Sequence, residues 1–274
     1  MSDTGEFDIS GKVCIITGGS GVLGSEMATA IGERGATVVL LARGEEKLEA
    51  ASDSLEEQDI EHMTIPASVL DRAELEAAAE TVVDEYGRID VLINGAGGNH
   101  PDATTGEETS FFDLPKDGLE QVMNVNFVGT VLASQAFGEY MVEQGEGCIL
   151  NISSMTAVTP LTKIPGYSGA KAAVSNFTEW LAVHMAQEYS PDIRVNAIAP
   201  GFFLTEQNRY LLINEDTGEY TDRGQSIIDH TPQNRFGDPE DLSTTVCWLL
   251  APGSAFVTGT VIPVDGGFSA FSGV

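Results

Sequence analysis

The chain has 274 residues, 42% of them apolar, enough for one large core and a single domain spanning 1–274. It carries 42 Asp and Glu against 13 Lys and Arg, and the resulting formal net charge of −29 disfavours nucleic acid and anionic membranes as partners. No apolar run approaches the ~18 residues of a membrane span, and the acidic start, Met1-Ser2-Asp3-Thr4-Gly5-Glu6, lacks an apolar signal core, so a cytoplasmic protein is expected.

The acidic residues are scattered along the chain rather than gathered in a tail. Their mutual repulsion destabilises a compact state in dilute buffer, whereas at molar salt the Debye length falls to about 3 Å and screens it. The expectation is a halophilic protein. Cys14, Cys148 and Cys247 fall in apolar runs without metal-ligand spacing, which predicts buried free thiols and no metal site.

Residues 12–17 form a short, β-branched apolar run and read as a buried strand. The run meets Gly18-Gly19-Ser20-Gly21-Val22-Leu23-Gly24, and a helical pattern follows through Met27, Ala28, Ala30 and Ile31, ending at Gly35. A strand, a glycine-rich turn and a helix together make a phosphate cradle, because glycines let backbone approach the anion and the helix N-terminus supplies N–H donors. Residues 37–41 read as the second strand, followed by Ala42 and Arg43. An acid at this strand end would accept from an adenosine 2′-hydroxyl, whereas an Arg accommodates a 2′-phosphate. Arg43 and the absence of Asp at 42 therefore favour NADP(H), with NAD(H) as the alternative.

A polar helix over 45–57 and a weak strand over 63–67 come next, then Ser68-Val69-Leu70-Asp71, where Asp71 or Ser68 could cap the helix of Leu75, Ala78, Ala79 and Val82. Residues 89–93 read as the fourth strand, running into Asn94-Gly95-Ala96-Gly97-Gly98-Asn99-His100-Pro101. Residues 117–143 read as one long helix in which Asn124 and Asn126 need partners. The fifth strand, 148–154, ends in Ser153-Ser154, and the sixth, 193–198, leads to Pro200-Gly201.

Between them a helix from Ala170 carries Tyr167 and Lys171 on one face, one turn apart. An ammonium beside a phenol favours the phenolate and would lower the phenol pKa, making Tyr167 a usable acid/base. Residues 202–236 are irregular and aromatic, with a turn at Asp216-Thr217-Gly218, and read as a substrate lid. Asp238-Pro239 opens a helix through Trp248, and 261–264 is the last strand. Alternating strands and helices predict an α/β fold: a single-domain, Rossmann-type, doubly wound parallel sheet of about seven strands with helices on both faces.

These elements together resemble the short-chain dehydrogenase/reductase (SDR) family over nearly the whole chain. The marks are Thr17-Gly18 with Gly24, Asn94-Gly95-Ala96-Gly97, Asn126, Ser154, Tyr167, Lys171 and Pro200-Gly201 with Thr205. Two positions depart from the family pattern, Val22 for a glycine and Gly95 for an asparagine. The glycine turn, 94–101, 153–165, 200–208 and the ending Ile262-Pro263-Val264-Asp265-Gly266-Gly267-Phe268-Ser269 are more closely similar to the SDR subgroup of D-mannonate oxidoreductases (fructuronate reductases). That subgroup tends to carry Asp where Ala42 stands.

The resemblance implies hydride transfer between a nicotinamide and a sugar-acid carbonyl or alcohol, with no metal. It implies Tyr167 as acid/base, Lys171 lowering its pKa and holding the nicotinamide ribose, Ser154 donating to the substrate oxygen, and Asn126 holding a water that relays protons to Lys171. It further implies cofactor contacts at Gly18, Ser20, Gly21, Val22, Leu23, Arg43, Ser68, Val69, Asn94, Ala96, Gly97, Pro200, Phe203 and Thr205. A homotetramer built on the helices at 117–143 and 166–190 is also implied. For a sugar-acid carboxylate, Lys163 and Arg209 are the candidate cations, and Asn99, His100, Gln207 and Asn208 are candidates for the hydroxyls. A gluconate-type or 3-oxoacyl substrate, or a nucleotide sensor without chemistry, are the alternatives. His62 and His184 have no partner motif and read as structural or solvated.

Overall fold

The computed structural model describes residues 5–107, 109–205 and 208–273. Seven parallel strands form one sheet in the order β3-β2-β1-β4-β5-β6-β7. They are β1 (Val13–Thr17), β2 (Thr37–Ala42), β3 (His62–Pro66), β4 (Val91–Asn94), β5 (Gly147–Ile152), β6 (Ile193–Pro200) and β7 (Val261–Val264). The order reverses between β1 and β4, which pair through Thr17 and Asn94. At such a reversal the connections leave the carboxyl edge in opposite directions and open a crevice.

Both faces of the sheet are covered, as the unbroken apolar strands require. Alternation along each strand sends Cys14, Ile16, Val38, Leu40, Ile93 and Leu150 to one face. There they meet α1 (Val22–Gly32), α2 (Glu45–Glu56) and α9 (Ser243–Leu250) through Met27, Leu48, Leu55, Val246 and Leu249. Ile15, Val39, Leu92, Ile149 and Val195 go to the other face. They pack on Leu75 and Val82 of α3 (Arg72–Tyr86), Phe137 and Met141 of α5 (Gly129–Gln144), and Leu181 and Met185 of α6 (Pro165–Glu188). Phe137 is fully buried, so its truncation to Ala costs about 3–5 kcal/mol.

Four details differ from the sequence reading. The first helix stops at Gly32 rather than Gly35, which instead sits in a left-handed turn at φ +80°. The helix expected over 117–143 is α4 (Lys116–Met123) and α5 joined by one π-helical turn, Asn124–Val128. The helix carrying the Tyr–Lys pair begins at Pro165, not Ala170, because proline is suited to a first helical position. The described part of the segment 202–236 is not irregular throughout. It holds α7 (Arg209–Leu212) and α8 (Asp222–His230) over a core of Leu212, Ile213, Ile227, Ile228 and Phe236. The expected turn is present, with Gly218 left-handed at φ +74° between the bridged residues Ile213 and Tyr220.

The three cysteines are free and buried, and burial pushes each thiol pKa up. His62 Nδ1 donates to the Ile60 carbonyl at 2.8 Å and its Nε2 lies 2.7 Å from Ser52 Oγ, and His184 stacks on Trp180 at 4.7 Å. Both rings are therefore structural. No described helix is long and apolar enough to cross a membrane.

Candidate active site

The carboxyl ends of β1, β4 and β5 meet the first turns of α1 and α6. At β1, Gly18 adopts φ +68°, and a Cβ there would sit 2.8 Å from the Ala96 backbone. Gly24 packs as closely, since a methyl on it would meet the Gly18 carbonyl at 2.5 Å. Gly21 is the N-cap of α1 and provides no side-chain cap, so the first-turn N–H groups beginning at Val22 and Leu23 have no side-chain acceptor. Ser20 lies half-buried beside them. The first turn of α1, like those of α5, α6, α7 and α9, carries no acid, whereas those of α2, α3, α4 and α8 each carry at least one. In a chain this acidic, an uncapped and acid-free N-terminus is suited to an anion. The tight glycine turn and these free donors fit a dinucleotide pyrophosphate.

Beside this cradle Arg43 is exposed at the end of β2 and has no ion-pair partner among the described residues. Ser68 turns its hydroxyl into its own loop, accepting from Leu70 N–H at 3.2 Å, while Asp71 caps α3 through Ala73 and Glu74. Val69 is buried against Gly129. Thr17 Oγ1 accepts from Gly95 and Ala96 N–H at 3.2 Å each and so shapes the segment after β4. Asn94 is buried, its amide donating to Ser134 Oγ at 3.0 Å and Asn151 Oδ1 at 2.9 Å. Its side chain faces the sheet interior, leaving only its main chain for the crevice.

Gly97 is the close-approach point of the site. A methyl on it would lie 2.5 Å from Asn126 Oδ1 and 3.3 Å from Lys171 Nζ. Asn126 occupies the π turn, a widened geometry common at functional sites. Its amide donates to Gly98 O at 2.7 Å and Val122 O at 2.8 Å, and its Oδ1 accepts from Gly98 N–H at 3.0 Å. Its side chain thereby ties the Gly98 peptide to the Val122 carbonyl of α4.

Tyr167 and Lys171 share a face of α6, with Nζ 5.6 Å from the phenol ring centroid. Lys171 is buried and donates to the Ile152 carbonyl at 2.7 Å. Burial pushes its pKa down to about 8. Burial also raises the Tyr167 pKa, and the Ser154 hydroxyl pulls it partway back. The sequence expectation that Lys171 lowers the phenol pKa is thus corrected. Desolvation of the phenol is the larger effect, and the neighbour that lowers its pKa is Ser154.

Sequence reasoning missed Ser153. Its hydroxyl donates to the Lys171 main-chain carbonyl at 3.2 Å and lies 2.7 Å from Ser175 Oγ. The doubled serine was the only available signal.

The other candidates are more scattered. Pro200 is buried at the end of β6, and Phe203 turns its ring into the core, leaving only its main chain for a ligand. The amide of Asn208 ties its own turn, donating to Phe203 O and accepting from Thr205 N–H at 2.8 Å each. Asn208 is therefore spoken for, and Thr205 is half-buried beside it. Asn99 donates to Thr104 Oγ1 at 2.8 Å, and His100 Nδ1 accepts from Asp102 N–H at 3.2 Å, so both shape their own loop. Lys163 lines a cavity of about 510 Å³ with Thr156 and Ser168, and neither Ser154 nor Tyr167 reaches it. Arg209 is exposed, and Gln207 lies outside the described residues.

A profile of the short chain dehydrogenase family matches residues 12–216. The chain belongs to that family and is an oxidoreductase. It is 49% identical over 276 residues to the uncharacterized oxidoreductase UxuB of Bacillus subtilis, covering 97% of this chain and 98% of that one. Its fold matches the crystal structure, with bound NAD, of a candidate D-mannonate oxidoreductase from Haemophilus influenzae. That match has a TM-score of 0.91 and 42% identity, over 97% of this chain and 98% of that one. A gluconate 5-dehydrogenase from Burkholderia cenocepacia, in complex with NADP and tartrate, matches at TM-score 0.85 and 27% identity, over 97% and 98% of the two chains.

Proposed function

We propose that the chain interconverts a sugar-acid alcohol and its ketone, with D-mannonate and D-fructuronate as the pair, using a nicotinamide dinucleotide. The observation that carries this is the gathering of Ser154, Tyr167 and Lys171 at the crevice beside the uncapped start of α1. When bound, the nicotinamide supplies or accepts the hydride.

The residues of the chain handle the proton and the charge. Tyr167, kept protonated by burial, donates its phenolic proton to the substrate oxygen in the reducing direction and takes it back in the other. Ser154 donates a hydrogen bond to the same oxygen as negative charge develops there. Lys171 has two N–H groups left after its bond to Ile152, and these face Gly97 and the crevice, where a ribose hydroxyl and a proton-carrying water would be held. Asn126 fixes the Gly98 peptide that shapes this wall. The Gly97 main chain, the Pro200 carbonyl and the Thr205 hydroxyl complete the cofactor contacts. Helices α7 and α8 would close over the substrate.

Arg43, exposed and unpaired among the described residues next to Ala42, supports NADP(H) over NAD(H). The NAD bound by the Haemophilus relative makes the comparison of both cofactors necessary. Trp180 and Val183 expose more than half their surface on α6, the kind of face a homotetramer of a cytoplasmic enzyme would cover.

A panel of hexonates, hexuronates and simple ketones, run with both cofactors at molar salt, tests the reading. D-Mannonate or D-fructuronate should turn over best, and Tyr167→Phe should abolish turnover while sparing nucleotide binding. Preference for gluconate or for an apolar ketone overturns the substrate, and full turnover by Tyr167→Phe overturns the mechanism.

A further inference from the structure

Three consecutive residues at the end of β5 each address the turn of α6 that carries the reactive pair. The Ile152 carbonyl takes Lys171 Nζ at 2.7 Å, and the Ser154 hydroxyl acts on the Tyr167 phenol. Ser153, between them and 1% exposed, donates to the Lys171 carbonyl at 3.2 Å. Its single hydroxyl proton is spent there, so the 2.7 Å contact with Ser175 is a bond donated by Ser175. Its main-chain N–H goes to Ile198 O at 2.8 Å, which ties the same residue to β6.

Elsewhere α6 is held by apolar packing of Val174 and, farther along, Leu181, Ala182 and Met185, and by one other polar link to β5, from Asn151 to Thr178 at 2.9 Å. Apolar contacts tolerate small slides and rotations, whereas a directed hydrogen bond fixes both. A misplacement of about 1 Å at a reacting group can cost as much as a hundredfold in rate.

We propose that Ser153, backed by Ser175, is a positioning residue that sets the height and rotation of α6 so that Lys171 Nζ and the Tyr167 phenol address the same point in the crevice. The proposal rests on the reading of that pair as the proton-transfer site. Groups that face Lys171 are Tyr167 from its own helix, the Ile152 carbonyl from β5, Asn126 from the π turn and the Gly97 backbone. None is a carboxylate, so its protonation is governed by how well water is excluded, and that depends on how firmly the helix is seated.

Ser153→Ala, Ser153→Thr, Ser175→Ala and Thr178→Val in the full chain test this. Ser153→Ala should lower kcat roughly tenfold with KM nearly unchanged and move the pH profile, and Ser153→Thr, which keeps the hydroxyl, should recover most of the rate. Thr178→Val removes the distant link and should lower Tm without moving the profile. A second readout needs no turnover. The chain has five lysines, Lys12, Lys47, Lys116, Lys163 and Lys171, so an NMR titration with ¹³C at the ε-carbon resolves Lys171 by comparison with Lys171→Met. Its midpoint should rise in Ser153→Ala and stay put in Thr178→Val.

If the native chain turns over no carbonyl compound, the enzymatic reading fails while the titration still decides the role of Ser153. Unchanged kcat and an unchanged Lys171 midpoint in Ser153→Ala overturn the proposal. Should that variant not fold, Ser175→Ala, at a half-buried position, is read the same way, and native values there overturn it.

Discussion

Lys171 donates one N–H to the Ile152 carbonyl, 2.7 Å away, and has no carboxylate partner among the described residues. A buried ammonium with a single neutral acceptor is costly, and the cost appears as a pKa pushed down to about 8 from an ordinary 10.5. Between these values the unfolded chain binds the proton that the folded chain has lost, so the contribution of this group to stability rises with pH across about 8 to 10.5. Below the window the folded chain carries the charge inside at a cost on the order of 3 kcal/mol. Lys171→Met should therefore be stabilised relative to the native chain at pH 7, less a constant amount for the orphaned Ile152 carbonyl. That advantage should shrink as pH climbs through the window. Denaturant unfolding of both chains at several pH values checks it, and a difference independent of pH would remove Lys171 as the buried charge.

Gly97 leaves no room for a side chain. Asn126, against which a methyl would fall at 2.5 Å, is fully buried and held by three hydrogen bonds, so it has nowhere to retreat. Gly97→Ala should shift the Asn126–Lys171 wall and lower kcat/KM by at least about tenfold, equivalent to ~1.4 kcal/mol. The same overlap strains the fold, so Tm should fall as well. Steady-state kinetics beside thermal melts would reveal it, and native kinetics would show that the wall yields freely.

The parts of this site that were legible in the sequence are the parts written locally. The apolar run before Gly18 and the four-residue step from Tyr167 to Lys171 carry their own geometry, so the parallel sheet and the shared helix face could be read directly. Three features could not. The π turn at Asn126 inserts one extra residue per turn without any composition signal. The order within 202–236 comes from a small separate core, and its residues recur at no clean period. The sign of the Tyr167 shift depends on burial created by chain segments far apart in sequence, and the pairwise argument from Lys171 had no means to include it. Ser153 belongs to the same class, since its partner lies on a helix eighteen residues on.

The surplus of acid predicts a strong response to salt. Of 42 acidic residues few find a cation, because only 13 Lys and Arg exist to meet them. The two residues that bind Asp90 and Asp241 most closely, Arg88 and Arg235, are each committed to more than one acid. Raising KCl from about 0.05 M to 1 M shortens the Debye length from more than 10 Å to about 3 Å and should raise Tm. The rise should be larger than for a near-neutral protein of similar size, and an equal midpoint at both salts would remove halophily from the description.

Lys163 combines a strained backbone with an exposed cation four residues before Tyr167. Its φ of +75° is left-handed, a conformation costing a side-chain-bearing residue about 1–2 kcal/mol. It persists because the Lys163 carbonyl accepts from Thr105 N–H at 2.8 Å and joins the loop after β4 to the loop after β5. Lys163→Gly removes both the strain and the charge, whereas Lys163→Ala removes only the charge. The glycine variant should be more stable than the native chain by about 1 kcal/mol and the alanine variant should not. If the ammonium holds the carboxylate of a sugar acid, both variants should raise KM for D-mannonate by a similar factor, roughly tenfold, and leave a neutral ketose unaffected. Stability and KM therefore report on different halves of the residue. An equal loss on charged and neutral substrates would assign Lys163 to loop geometry alone and leave Arg209 as the remaining cation for the carboxylate.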